Sequence, residues 1–450
     1  MLKSKFFKNN AIFMAGTLIS GLLGYAFHFA VSRQISVAQY GELQSLLSIF
    51  IIFGVFNSAL SYFVIRHTSV FAAHNDRDAT REFASYLQAK VFRFAVALLF
   101  VLIIFSPLLA LFLHFSSYVG FIVISLATFL STMTVIYFEI LRGWEKFFLL
   151  SVVGTAAAFV KFLSGAILAI FSHKTAVVSF AFLLTAFVSW YLAKLWSKEK
   201  IIGEDNQKNE TGWLASNASP ARQPDGIYGG GRSDAGWKNK YFSETNIRRT
   251  AAKIFFFSLA LVLLSNLDVV LVKYFSTAEI AGYYGAFGLL GKISLWLNLA
   301  VVGVMLPAAC ADGHSGKRPD KKNILNTYGL MAAIGLGLIL VYYIMPDFII
   351  NLFFGKKYIL DTQILWLFAL MSFLLSILTL EANLSFAKRD FRVIYFIAIT
   401  TLLMISGLAK FHGNLRDIVL SLIISFLIGY VSVAILNISH ENRRLKALNQ

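Results

Sequence analysis

Apolar runs long enough to cross a bilayer recur from one end of this chain to the other, and they leave its backbone few options. About twenty apolar residues span the roughly 30 Å hydrocarbon core. Inside it every backbone N–H and C=O must be paired within the chain, which a helix does by itself. Twelve such spans are read at about 11–32, 42–65, 91–113, 117–141, 148–171, 175–197, 251–275, 281–310, 326–352, 360–386, 391–410 and 417–438. The eighth and tenth are long enough to tilt or bend. With 58% hydrophobic residues and a mean hydropathy of +0.71, a soluble domain of 450 residues is excluded.

A net charge of +17 would suit nucleic acid if it lay on one soluble face. It does not, because the basic residues fall between the apolar runs. With the N-terminus inside, 31 Lys and Arg fall on the cytoplasmic side and 7 on the other. That bias orients the chain with both termini cytoplasmic. Lys3, Lys5 and Lys8 precede the first span, which is long for a signal peptide and is read as a retained helix. Cys310 is the single cysteine, so no intrachain disulfide forms.

The one long loop, 198–249, is rich in Gly, Asn, Ser and Asp and includes Gly229-Gly230-Gly231. Such a segment cannot bury a core and reads as a flexible cytoplasmic linker. It separates a first six-helix bundle (1–197) from a second (250–438), followed by a cytoplasmic tail (439–450). Six spans per half keep both halves in one orientation, with a pseudo-twofold axis along the membrane normal and a cavity between them.

The halves also resemble each other in sequence. Arg33-Gln-Ile-Ser36-Val-Ala38-Gln-Tyr40-Gly41 follows one apolar span, and Lys273-Tyr-Phe-Ser276-Thr-Ala278-Glu-Ile-Ala-Gly282-Tyr283 follows another. Ser36 matches Ser276, Ala38 matches Ala278, and Gly41 matches Gly282 after a slip of one residue. The same offset matches His28 with Asp268, both inside apolar spans. A duplicated bundle with polar groups at equivalent depths is the outline of a transporter.

A charge at mid-bilayer costs about 2.5–3.5 kcal/mol on insertion scales, so each one needs a partner or water. His28 shares a helical face with Thr17, Gly21, Gly24 and Ser32. That face either packs on a neighbour through its small residues or lines a wet cavity. Asp268 follows Ser258, Leu261 and Ser265 on one face, as a coupling-cation or proton site or as the ionic partner of Lys292. Lys161 and Lys292 are too deep to snorkel. Facing a cavity, they suit a diphosphate or another anionic headgroup. Otherwise they neutralise Glu139, Asp268 or Glu381. Arg33 and Lys273, at the ends of matching helices, would extend that basic path. Ser125, Thr128, Thr132 and Glu139, then Ser372, Ser376, Thr379 and Asn383, form two more polar stripes.

Asp76-Arg77-Asp78 matches the D-x-D of nucleotide-sugar enzymes, but its loop of about 25 residues is too short for such a domain. A solvated charge cluster is the better reading. No metal-ligand cluster, nucleophile triad or phosphate loop is present in the sequence, and none of the outer loops is long enough for a glycan polymerase. The chain is therefore read as a non-enzyme.

Ser32-Arg33-Gln-Ile-Ser-Val-Ala-Gln-Tyr40-Gly41 resembles the S-R-x-L-x-x-x-x-Y-G segment joining the first two helices of polysaccharide and oligosaccharide flippases. These belong to the multidrug/oligosaccharidyl-lipid/polysaccharide exporter superfamily. Leu141-Arg142-Gly143-Trp144-Glu145-Lys146-Phe147 resembles the family's L-R-G-x-x-[KR]-F. Asp268, Gly282-Tyr283 and Ala387-Lys388-Arg389 also fit, so the likeness runs along nearly the whole chain. Ile35 and Ser36 replace the usual Leu-Gly, and the linker is longer than expected.

The resemblance implies an all-α inner-membrane flippase that carries a polyprenyl-diphosphate-linked oligosaccharide from the cytoplasmic to the outer leaflet. It would work by alternating access coupled to protons or sodium, beside polymerase and assembly proteins of surface-polysaccharide synthesis. Lys161, Lys292, Arg33 and Lys273 would then meet the diphosphate, and His28, Asp268 and Glu139 would bind the coupling ion or gate the halves. A cation-coupled drug exporter of the same superfamily is the alternative.

Overall fold

The computed structural model describes residues 2–202, 245–314, 321–388 and 390–448. The first half contains α1 (Leu2–Gln34), α2 (Val37–Phe53), α3 (Phe56–Ala73), α4 (Arg77–Phe112), α5 (Val119–Gly143), α6 (Phe147–Phe171), α7 (Thr175–Val178) and α8 (Phe180–Ser197). The second contains α9 (Thr245–Phe275), α10 (Ala278–His314), α11 (Lys321–Ile344), α12 (Pro346–Phe353), α13 (Leu365–Ala387), α14 (Val393–Lys410) and α15 (Leu415–Leu448). Among the described residues ten helices are long and apolar enough to cross a membrane, and the bent pair α2–α3 makes an eleventh. The remaining expected span, 281–310, is helical within α10.

Helices of each half pack chiefly on one another. In the first lobe α1 lies on α6, α5 on α8, and α4 on α5. In the second, α10 and α15 lie on α13, α14 lies on α15, and α11 completes the lobe. The lobes meet where α2 runs along α10 and α9, and where α3 touches α9. Small residues set the closest approaches. A β-carbon on Gly16 would collide with Ser151 of α6, and one on Gly165 with the ring of Phe27. Close backbone packing through such residues is how membrane helices associate without a hydrophobic drive.

Counting passes from α1 gives a near face, where the chain begins, and a far face, which carries the Ser36 and Ser276 turns. Ser36 caps α2, accepting a hydrogen bond from the Gln39 N–H at 3.2 Å. Arg33 and Lys273 sit in the last turns of α1 and α9, where the helix dipole favours a cation.

Three expectations are corrected. The second span is not one straight helix, because α2 and α3 meet at a 42° bend beside Gly54. The segment read as a loop from 66 to 90 is helical through Ala73 and again from Arg77. At 36 residues and 1.5 Å per residue, α4 is about 54 Å long, well beyond the hydrocarbon core. It therefore forms a hairpin with α3 that projects from the near face. Asp76 of the D-x-D sequence is the N-cap of α4, accepting from the Ala79 N–H at 2.8 Å. Third, α15 continues to Leu448, through most of the expected tail. Of the expected linker, Lys198–Ile202 is a π-helical turn and α9 begins at Thr245, while the rest lies outside the described residues.

Candidate functional site

The first lobe carries a half-open cavity of about 350 Å³ between α2, α5, α6 and α8. Leu47, Phe50 and Phe182 supply apolar walls, and Ser131, Thr134, Thr185 and Ser189 supply hydroxyls. Two charged residues line it, Glu139 of α5 and Lys161 of α6. The Lys161 ammonium stands 5.2 Å from the centre of the Phe27 ring, a cation–π distance. Gly24 leaves it room, since a β-carbon there would lie 3.8 Å from the nitrogen. Among the described residues no carboxylate pairs with Lys161. Glu139 is buried, receives a hydrogen bond from Ser61 Oγ at 2.6 Å and pairs with Arg142 at 3.0 Å. Among the described residues its Oε2 has no hydrogen-bond partner. The cavity thus holds one uncompensated cation and one carboxylate already neutralised from outside.

The second lobe treats its charges differently. Asp268 is buried and accepts from the Tyr284 hydroxyl at 2.6 Å. Lys292 stands 3.8 Å from its other oxygen and donates to the Ser265 carbonyl at 2.8 Å. Lys292 is therefore the partner of Asp268, one of the two arrangements open from sequence. Among the described residues Asp268 Oδ1 accepts no hydrogen bond and has only the ammonium at 3.8 Å, so the pair is ionic and removing either partner leaves a buried charge. Glu381 is held by Tyr328 and Asn437.

In the first lobe His28 of α1 also meets a tyrosine. Its Nδ1 lies 3.3 Å from the Tyr40 hydroxyl, which accepts a 2.7 Å hydrogen bond from Gln44. The Gln44 amide also donates to the Gly285 carbonyl of the other lobe at 3.3 Å. In each lobe, then, a polar group of the first helix meets a tyrosine of the second. On α1, His28 and Ser32 are buried while Thr17 and Gly21 stay exposed, so only one end of that stripe is packed.

Arg33 and Lys273 stand at the far-face seam between the lobes. Arg33 donates to the Leu352 carbonyl at 2.5 Å, and Lys273 to the His114 carbonyl at 3.2 Å. Each bond crosses from one lobe to the other. Lys357 reaches back to the Ile35 carbonyl, and partial burial pushes its ammonium pKa down. Tyr358 fills the seam between Tyr40 and Tyr283, with ring centres 6.0 and 6.1 Å away. Sequence reasoning missed Gln44, Tyr284 and Tyr358. The repeat register does not point to Tyr284, because Tyr40 matches Ala281 and Tyr284 matches Leu43.

No family model and no curated protein sequence matches this chain. Solved structures do. An inward-facing multidrug resistance MATE family transporter of the MOP superfamily superposes with a TM-score of 0.68 at 11% identity, covering 94% of this chain and 96% of that one. The lipid II flippase MurJ, in an inward closed conformation, gives 0.67 at 14% identity, covering 94% and 86%. An outward-facing MATE transporter of the same superfamily gives 0.61 at 12%, covering 98% and 94%. The chain has the two-lobe, all-helical membrane fold of these transporters and flippases.

Proposed function

We propose that this chain is a flippase that moves a polyprenyl-diphosphate-linked oligosaccharide across the inner membrane by alternating access. The observation that carries the reading is Lys161, a deeply placed cation on a membrane cavity that meets no carboxylate among the described residues. An uncompensated cation there is costly unless an anion visits it. A diphosphate headgroup supplies that anion, and the cavity hydroxyls supply donors and acceptors for sugars.

In this reading the near face is cytoplasmic and the far face external. The seam is closed at the far face by contacts between lobes, as a state loaded from the cytoplasm requires. The better superposition on an inward-facing transporter than on an outward-facing one agrees with it. The substrate's diphosphate meets Lys161, while Lys292 serves Asp268. Glu139 lines the same cavity and its buried Oε2 has no hydrogen-bond partner among the described residues, which supports reading it as the group that takes up a coupling proton or sodium ion. That oxygen is also what a cationic drug would seek, and it supports the drug-exporter reading.

The deciding experiment is lipid extraction from a strain lacking this chain. A lipid-linked oligosaccharide that accumulates, with its surface polymer missing, supports the flippase. Absence of that intermediate together with raised sensitivity to cationic drugs supports the exporter.

A further inference from the structure

The far-face seam is built twice, one repeat apart. On α2, Glu42 is buried and its carboxylate accepts from the Ser116 N–H at 3.0 Å and the Ser116 hydroxyl at 3.1 Å. On α10, the Tyr283 hydroxyl donates to the Lys357 carbonyl at 3.4 Å. Both members of the second pair lie 241 residues after those of the first. The loops so held match as well. His114 in one has φ 52° and Gly355 in the other, at the same separation, has φ 88°. Both are positive-φ residues just past a helix end, His114 two residues after α4 and Gly355 two residues after α12. Each loop then receives a cation from the opposite lobe, Lys273 on His114 and Arg33 on Leu352.

We infer that Glu42 and Tyr283 are the positioning residues of a two-part latch that closes the far face. Each braces the acceptor loop of its own lobe so that a cation of the other lobe can dock on it. The acceptors that cross the seam are carbonyls, not carboxylates. Breaking the latch therefore strands no buried anion, and water can take the freed cations. The halves differ in two respects: Lys357 adds a second cation across the Arg33 half, on the Ile35 carbonyl, and the braces differ in charge. Glu42 brings a negative charge to the Lys273 half, while Tyr283 brings none to the Arg33 half. Neither brace touches Lys161 or its cavity. The inference rests on alternating access but not on the identity of the cargo.

The test uses the full chain in lipid nanodiscs, with the sole cysteine replaced and spin labels at Gln34 and Lys356. Both positions are exposed and lie on opposite sides of the seam. The expected wild-type distribution is dominated by one short distance. Glu42→Gln should move population to a longer one, and Glu42→Asp should restore the short one. Combining Glu42→Gln with Lys273→Gln should add nothing, because both break one half. Combining it with Tyr283→Phe should open the seam further than either change alone. Ser116→Ala, which removes one of the two bonds to Glu42, should shift the distribution in the same direction and serves if Glu42→Gln fails to fold. Gly41→Val, which wedges the seam directly, is the control. A shift with Gly41→Val but none with Glu42→Gln or Ser116→Ala overturns the latch alone. No shift with any of them overturns alternating access, and the latch with it.

Discussion

Gly41 of one lobe lies against Gly282 of the other so closely that a β-carbon on Gly41 would stand 2.7 Å from the Gly282 nitrogen. The reverse holds too, since a β-carbon on Gly282 would run into the Val37 carbonyl. These are the two glycines that match in the internal repeat, and they meet where the lobes touch. Backbones this close exclude water and bring the far-face turns into register. Gly41→Val should therefore force the seam apart while leaving each lobe folded. Hydrogen exchange should show faster exchange of amides in 35–41 and 276–282, with exchange inside α5 and α13 unchanged.

Lys161 meets the Phe27 ring and no carboxylate among the described residues. If its role is to receive an anionic headgroup, Lys161→Gln should keep the protein in the membrane and abolish most export. Losing a charge-assisted hydrogen bond costs about 1.5–3 kcal/mol, roughly ten- to more than a hundredfold in binding. Lys161→Arg keeps the charge and should retain part of the activity. Surface-polymer yield in a complemented deletion strain measures both. Full export by Lys161→Gln would remove the cavity-cation idea.

Asp268 and Lys292 form a buried pair, so their removal should be read as stability first. Asp268→Asn or Lys292→Met alone leaves one charge uncompensated and should cost about 3–5 kcal/mol. The double substitution should recover most of that loss. Thermal unfolding in detergent would show it. A double variant no more stable than the worse single would show that the two act separately.

Glu139 lines the first-lobe cavity, and its buried Oε2 has no hydrogen-bond partner among the described residues. Glu139→Gln keeps the Ser61 contact and removes the charge. Transport by that variant should lose its dependence on a proton or sodium gradient more than its ability to bind cargo. Gradient-driven uptake into inside-out vesicles, measured with and without an ionophore, separates the two effects. An unchanged gradient dependence would place coupling elsewhere.

Much of the fold was legible because the membrane makes the backbone's problem simple. Apolar runs had to be helices, and the repeat matched Gly41 with Gly282 before their contact was known. The bend at Gly54 was not legible, since the residues around it are as apolar as those of a straight span. The α3–α4 hairpin was hidden by its charges. Arg77, Asp78, Arg81 and Glu82 read as solvent loop, yet Phe71, Phe83 and Leu87 on the inner side form a buried cluster. Arg33 and Lys273 read as cavity cations because sequence gives depth but not the opposing surface. Glu42 drew no notice at a helix end, where an acid normally meets water. The hydroxyls of Ser125, Thr128 and Thr132 did form a stripe, but each donates to the carbonyl four residues back.

The central claim is best tested with purified protein in vesicles loaded with a fluorescent diphosphate-linked oligosaccharide. A sugar-cleaving enzyme added outside reports how much cargo reaches the outer leaflet. Protein-dependent delivery of the inner-leaflet pool, lost in Lys161→Gln and driven by an ion gradient, is the predicted result. No delivery of that lipid, with gradient-driven export of a cationic dye by the same vesicles, would contradict it.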